Sequence, residues 1–126
     1  KDVKGLIKAL KDSEACIYLP DQDYGRNRSL FVPFFAVEDA ATTKGTLLFA
    51  KRANCETVFI VSVRTKHGYD IKVVQGLNNF PSGDDKLDVA RINRQVEELV
   101  NIAPAQYLWM HKRFKTRPTD ADPSYY

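Results

Sequence analysis

Residues 57–74, TVFIVSVRTKHGYDIKVV, hold two runs rich in β-branched residues, Thr57–Arg64 and Tyr69–Val74. The Thr-Lys-His-Gly link between them has the length and the glycine of a hairpin turn, so the stretch predicts an antiparallel pair. Downstream, Pro81-Ser82-Gly83-Asp84 reads as a turn and helix start. Val89, Ile92, Val96, Leu99 and Val100 then recur at helical spacing, which predicts a helix over 85–102. Pro104 opens a predicted short helix near 104–111. Beyond Phe114 the chain is polar with two prolines and reads as an extended tail. Upstream, Thr42 or Thr43 is placed to cap a helix reaching about Asn54, although Gly45 weakens it. Residues 21–40 read as a long loop, and a loop of that length in a small domain is usually functional. Ala15–Leu19 is a short apolar run ended by Pro20, expected as a buried strand. Val3, Leu6, Ile7 and Leu10 give an amphipathic helix over 2–12.

These elements make an α/β chain with a small sheet of three strands flanked by helices. So small a sheet leaves an open edge, and edges are normally paired or covered. The expectation is that part of the fold lies upstream of Lys1, where the chain opens without a Met. The domain is placed at 1–118, with 119–126 as a polar C-terminal tail.

The composition is that of an ordinary globular protein, 44% hydrophobic and 28% charged, with a net charge of only +3. No apolar run reaches the ~18 residues of a membrane span, and no signal peptide is present. Cys16 and Cys55 lack CxxC spacing and a nearby His, which favours reduced core thiols over a disulfide. Neither a metal set nor a cofactor motif is visible. No helix-turn-helix, zinc or RNP-like pattern accompanies the basic residues, which argues against nucleic acid.

Two stretches carry candidate chemistry. In residues 19–43, LPDQDYGRNRSLFVPFFAVEDAATT, Asp21, Gln22 and Asp23 follow an apolar run and precede Arg26, Arg28 and the patch Phe31–Phe35. Backbone alternation puts Asp21 and Asp23 on one side and Gln22 on the other, so both acids are able to face one cleft. The plainer reading has them capping the loop or pairing with Arg26 and Arg28. Phe31, Phe34 and Phe35 read as core or loop anchors, with an acyl-lining wall as the alternative. In residues 106–118, QYLWMHKRFKTRP, Lys112, Arg113, Lys115 and Arg117 put four cations within six residues. That run reads as a solvated face, a phosphate or anionic-lipid contact, or a dock for an acidic carrier protein. Trp109 reads as core or as a residue of a membrane interface. His67 reads as an exposed turn residue and His111 as structural.

The segments DQDYG, FVPFF, Ala41-Thr42-Thr43, LFAKRAN, NFPSGD and YLWMHKRFKTRP together resemble the bacterial lipid A biosynthesis acyltransferases. These are the lauroyl and myristoyl transferases of the lysophospholipid acyltransferase superfamily. The resemblance covers essentially the whole chain. It implies an enzyme at the cytoplasmic face of the inner membrane, held there by an N-terminal anchor that this chain lacks. Its acyl donor would be acyl carrier protein and its acceptor a hydroxyl of a phosphorylated glucosamine lipid. The family's general base is a His followed five positions later by Asp or Glu. Here Lys72 stands five positions after His67 and Thr116 five after His111, so no catalytic residue is assigned in this chain. The resemblance therefore implies the C-terminal portion of a larger glycerolipid-acyltransferase-like fold, inactive alone. It makes Asp21, Gln22, Asp23, Arg26, Arg28, Phe34 and Phe35 substrate-binding or site-supporting residues. Lys112, Arg113, Lys115 and Arg117 become phosphate or membrane contacts. Ala36 departs from the family's usual Gly, which bears on the turn there. A non-catalytic lipid- or protein-binding domain on the same scaffold is the other function class.

Overall fold

The computed structural model describes residues 2–126. Its elements are α1 (Val3–Lys11), β1 (Ser29–Phe34), β2 (Val37–Thr43), α2 (Gly45–Ala53), β3 (Val58–Arg64), β4 (Tyr69–Gln75) and α3 (Asp85–Val100). Short 3-10 turns stand at Arg26–Arg28, Pro104–Gln106 and Trp109–His111. The α/β class holds, but the strands form two separate antiparallel hairpins, β1–β2 and β3–β4, instead of one three-stranded sheet. Cys16 and Cys55 are free thiols. No helix among the described residues is long and apolar enough to cross a membrane.

The β3–β4 hairpin pairs in full register, from Val58 with Gln75 to Arg64 with Tyr69, as its β-branched runs predict. Four other expectations fail, three of them for identifiable reasons. Residues 21–40 are not one loop, because Ser29–Phe34 pairs with Val37–Thr43. Pro33 has no N–H to give, and the register shifts between Val32 and Phe34 around it. Second, Thr42 and Thr43 belong to β2, so the helix begins only at Gly45. A Cβ at Gly45 would overlap the ring and hydroxyl of Tyr18, which accounts for the glycine there. Third, Ala15–Leu19 is not a strand, because its backbone shares no hydrogen bonds with another segment among the described residues. The helix expected near 104–111 is two single 3-10 turns.

The helix α3 stands between the two hairpins. Its N-terminus is capped by Asp84, whose carboxylate accepts from the Leu87 N–H at 3.0 Å. Val89 packs with Val32 and Leu47 on the β1–β2 side. Ile92 and Leu99 pack with Phe59 on the β3–β4 side, backed by Val61, Val74 and Val96. Each such side chain contributes roughly 1.5–3 kcal/mol when fully buried. Two polar residues share this apolar stripe. Asp88 accepts from the Ser82 N–H at 2.7 Å and from Arg91 at 3.2 Å, which fixes the loop before α3. The Asn93 amide donates to the Pro33 carbonyl and to the Thr42 hydroxyl, both at 2.8 Å.

Asn93 thus satisfies the carbonyl of the one strand residue whose ring disturbs the ladder. Asn93→Ala leaves that carbonyl without its side-chain donor and takes one of two donors from the buried Thr42 hydroxyl, at about 2 kcal/mol. The expected result in urea is a lower unfolding midpoint at unchanged slope.

Candidate functional site

The two chemically suggestive stretches fold onto one another. The Asp23 carboxylate accepts from the Gly25 N–H at 2.9 Å, closing the turn into Arg26–Arg28. It also accepts from the Thr116 hydroxyl at 2.8 Å and the Thr116 N–H at 3.0 Å. Asp23 is therefore a latch between the loop and the C-terminal segment, with both oxygens engaged.

Asp21 differs. Its backbone carbonyl meets the His111 ring at 3.2 Å, while its side chain borders a groove of about 790 Å³. Leu10, Cys16, Leu19, Phe49, Phe59 and Val96 are among the walls of that groove. The buried Tyr107 hydroxyl lies near Asp21 but within hydrogen-bond reach of no partner among the described residues. Burial first, and the Asp21 charge next, push the Tyr107 phenol far above its ordinary pKa. It stays a neutral donor beside the carboxylate. Both acids thus face the C-terminal segment, and neither pairs with Arg26 or Arg28. Gln22 makes no side-chain hydrogen bond among the described residues.

The cations separate into two kinds. Arg113 is only 2% exposed. Its guanidinium donates to the Ala41 carbonyl at 2.7 Å and the Thr42 hydroxyl at 2.9 Å. It lies 4.8 Å over the Phe34 ring. Burial lowers its pKa from the ordinary arginine value, while Tyr107, Asp23 and Asp21 nearby favour its charge. Arg117 grips Asp39 through two bonds of 2.9 and 3.0 Å and lies 4.0 Å over the Tyr125 ring. Arg26 reaches Asp120 at 2.8 Å and the Arg117 carbonyl at 3.1 Å. Arg28 is exposed and uses its backbone carbonyl to hold the Lys44 N–H. Lys112 and Lys115 are exposed on the surface.

The aromatics are anchors with one exposed rim. Phe34 is fully buried against Phe35, at 4.8 Å between ring centres. Phe35 sits at the hairpin tip with φ +52°, and its N–H donates to Glu97 at 2.7 Å. The left-handed position of this turn falls on Phe35 and not on Ala36, so a glycine at 36 is not demanded by φ. Trp109 packs on Phe35 and Tyr107, and its indole N–H donates to the Pro104 carbonyl. Met110, next to it, is 89% exposed. No group of His, Cys, Asp or Glu among the described residues is arranged to hold a metal ion.

Residues 1–116 match the family described as bacterial lipid A biosynthesis acyltransferase. The chain belongs to this family. It is 45% identical over 120 residues to a lipid A biosynthesis lauroyltransferase of Escherichia coli K12, an alignment covering 94% of this chain and 39% of that protein. A palmitoleoyltransferase of the same organism is 40% identical over 119 residues, covering 93% and 39%. A lipid A biosynthesis acyltransferase of Haemophilus influenzae is 39% identical over 129 residues, covering 100% and 42%. The chain therefore spans about two fifths of the length of the curated relatives it matches.

This lipid A acyltransferase chain contains site residues that its sequence did not single out. Thr116 ties the C-terminal segment to the loop through Asp23; Asp39 and Thr42 tie it to β2 through Arg117 and Arg113; Asn93 ties α3 to Thr42 and Pro33, and Tyr107 lies near Asp21. Only Asn93 carried a signal, as a polar residue within the apolar stripe of α3.

Two outcomes are expected. Asp23→Asn replaces one of the two accepting oxygens by a donor that faces donors, and lowers stability by about 1–2 kcal/mol in chemical denaturation. Asp21→Asn shifts the same midpoint by less than about 0.5 kcal/mol. The tail supplies a pH dependence. The bond from Arg26 holds the Asp120 carboxyl below its ordinary pKa, and the bonds from Thr119 do so for Asp122. Both are depressed carboxyls, so their stabilisation is present above the unfolded pKa of roughly 3.9 and lost as pH falls through the lower folded values. Proteolysis of the segment after Arg117 should accelerate below about pH 4, before the core unfolds.

Proposed function

We propose that these 126 residues work within a longer polypeptide, the parent, that transfers a fatty acyl group from acyl carrier protein to a hydroxyl of a phosphorylated glucosamine lipid A precursor. The acceptor oxygen forms an ester bond to the acyl carbonyl carbon, the thioester C–S bond breaks, and the hydroxyl proton passes to a general base. That base and its acid belong to the parent outside this chain, since neither histidine here has a carboxylate at the required spacing. The parent works at the cytoplasmic face of the inner membrane. The identity to acyltransferases over nearly the whole chain supports the reaction class.

One observation carries this chain's part in it. Of the two acids, only Asp21 keeps its carboxylate free of backbone N–H donors, at the border of an apolar groove. A carboxylate so placed is suited to orient and charge-stabilise an imidazole or to meet the acceptor, while Asp23 keeps the loop in place. Phe34 and Phe35 support the loop from behind. Gln22, Arg26 and Arg28 follow Asp21 on the same loop and are candidates for contact with the acceptor. Among the four tail cations, Lys112, 5.7 Å from the centre of the Tyr126 ring, and Lys115 are the exposed ones, suited to meet acceptor phosphates or anionic headgroups. Arg113 and Arg117 shape the segment that presents them.

In the parent, Asp21→Asn should lower turnover on the order of ten- to a hundredfold without altering the melt. Asp23→Asn should lower activity in step with stability. Labelled acyl carrier protein and a lipid A precursor give the assay, in which the 126-residue chain alone should show no transfer. Full turnover of the Asp21→Asn parent would remove the site assignment. Lys112→Gln with Lys115→Gln should weaken binding to anionic vesicles, at ~1 kcal/mol per lysine, and flatten its salt dependence. Unchanged binding would take both lysines out of the phosphate or membrane role.

A further inference from the structure

Ala15–Leu19 has the side-chain pattern of a strand without the pairing of one. Exposure alternates along it: Cys16 and Tyr18 turn inward, while Ala15, Ile17 and Leu19 turn out. Tyr18 fixes the inner side through its hydroxyl on Thr43 at 2.8 Å and its ring on Phe49 at 5.4 Å. On the outer side Ile17 is 92% exposed. Among the described residues no backbone hydrogen bond reaches the N–H groups of Ala15 to Leu19.

Across the groove stands β3. It pairs with β4 along one edge only, and Thr57, Val58, Phe59 and Ile60 line the groove on the other. The hairpin's inner face, Phe59, Val61 and Val74, packs on α3. Its outer face holds Val58, Ile60, Ile71 and Val73, each well exposed. A sheet apolar on both faces is a sheet meant to be covered on both.

We propose that the groove is a slot for a β-strand, and that a segment of the parent lying outside residues 1–126 fills it, pairing with Ala15–Leu19 on one side and with β3 on the other. The unpaired backbone on both walls calls for an extended peptide in place of a lipid chain or a helix, since only backbone N–H and C=O groups satisfy both rows at once. The relatives' length leaves about three fifths of a parent to supply it. A seated strand would also fix the direction of Asp21, two residues past Leu19, so the slot couples completion of the sheet to the site. This inference rests on the reading that the chain acts within a longer acyltransferase, but its test does not use activity.

The test is amide hydrogen exchange on the parent, followed on peptides spanning residues 14–20 and 57–61. Amides of Ala15–Leu19 should exchange on the order of a hundredfold more slowly than in an unstructured peptide, without donor or acceptor present. Ile17→Pro, which removes one N–H, should restore fast exchange at 15–19 and at the outward-facing amides of Val58 and Ile60, while those bonded to β4 and α3 stay protected. Unstructured exchange at 15–19 in a parent whose α3 is protected would overturn the proposal. So would protection that appears only when acyl donor is added, which would give the groove to a ligand. Protection at 15–19 in the 126-residue chain that rises with its concentration would assign the slot to a second copy and also overturn it. Loss of acyl transfer with slow exchange intact would fault the functional reading and leave the slot standing.

Discussion

A single buried guanidinium holds the C-terminal segment to the middle of the chain. Arg113 has no carboxylate in contact with it. It is held by a carbonyl, a hydroxyl and the faces of Phe34 and Phe114, with the charges of Asp23 and Asp21 at longer range. Taking an ion out of water costs several kcal/mol unless its donors are met. The fork shape of arginine lets two donors land on neighbouring strand residues, and a lysine has no equivalent. The Thr42 hydroxyl accepts from Arg113 and from Asn93 and donates to the Ala40 carbonyl. That is the full capacity of a hydroxyl, used wholly inside the protein. One threonine thus joins α3, β2 and the C-terminal segment.

From this junction the C-terminal segment works as a strap. Thr116 is placed three residues after Arg113, where it meets Asp23, and Arg117 follows, where it meets Asp39. The strap in turn decides which acid is free. Asp23 is consumed by the latch, and Asp21, two residues earlier, is left at the groove with Tyr107. A carboxylate whose two oxygens accept three protein hydrogen bonds has little capacity left to meet a substrate or an incoming side chain. The division of labour between the two acids follows from hydrogen-bond count, not from their position in the motif.

Much of this fold was legible in the sequence. The β-branched runs of β3 and β4 and the apolar spacing of α3 and α1 read directly, since their side chains meet one environment per face. The hairpin β1–β2 did not. Its first strand contains Pro33 and two phenylalanines, its second has the small residues Ala40 and Ala41, and its tip places Phe35 at positive φ. Each feature reads as loop, and long-range burial against α3 overrides them all. In the basic run, sequence gives charge but not direction. Lys112 and Arg113 are adjacent and alike on paper, yet a left-handed backbone at Lys112, φ +50°, turns one outward and the other inward.

The two hairpins differ in how completely the chain satisfies them. The β1–β2 hairpin is buried along Ala40–Thr43, with α3, Tyr18 and Arg113 all reaching it. The β3–β4 hairpin has one face on α3 and one in water, and Ala15–Leu19 lies across a groove from it with its own backbone unpaired. Asp21 stands between these regimes. Its backbone is held by His111 from the finished side, and its carboxylate borders the unfinished one. A rigid support on one side and an open, apolar, hydrogen-bond-hungry wall on the other is what a site needs when its remaining groups arrive from elsewhere in the polypeptide. Placement of the acid by the finished hairpin keeps its position independent of whatever fills the groove.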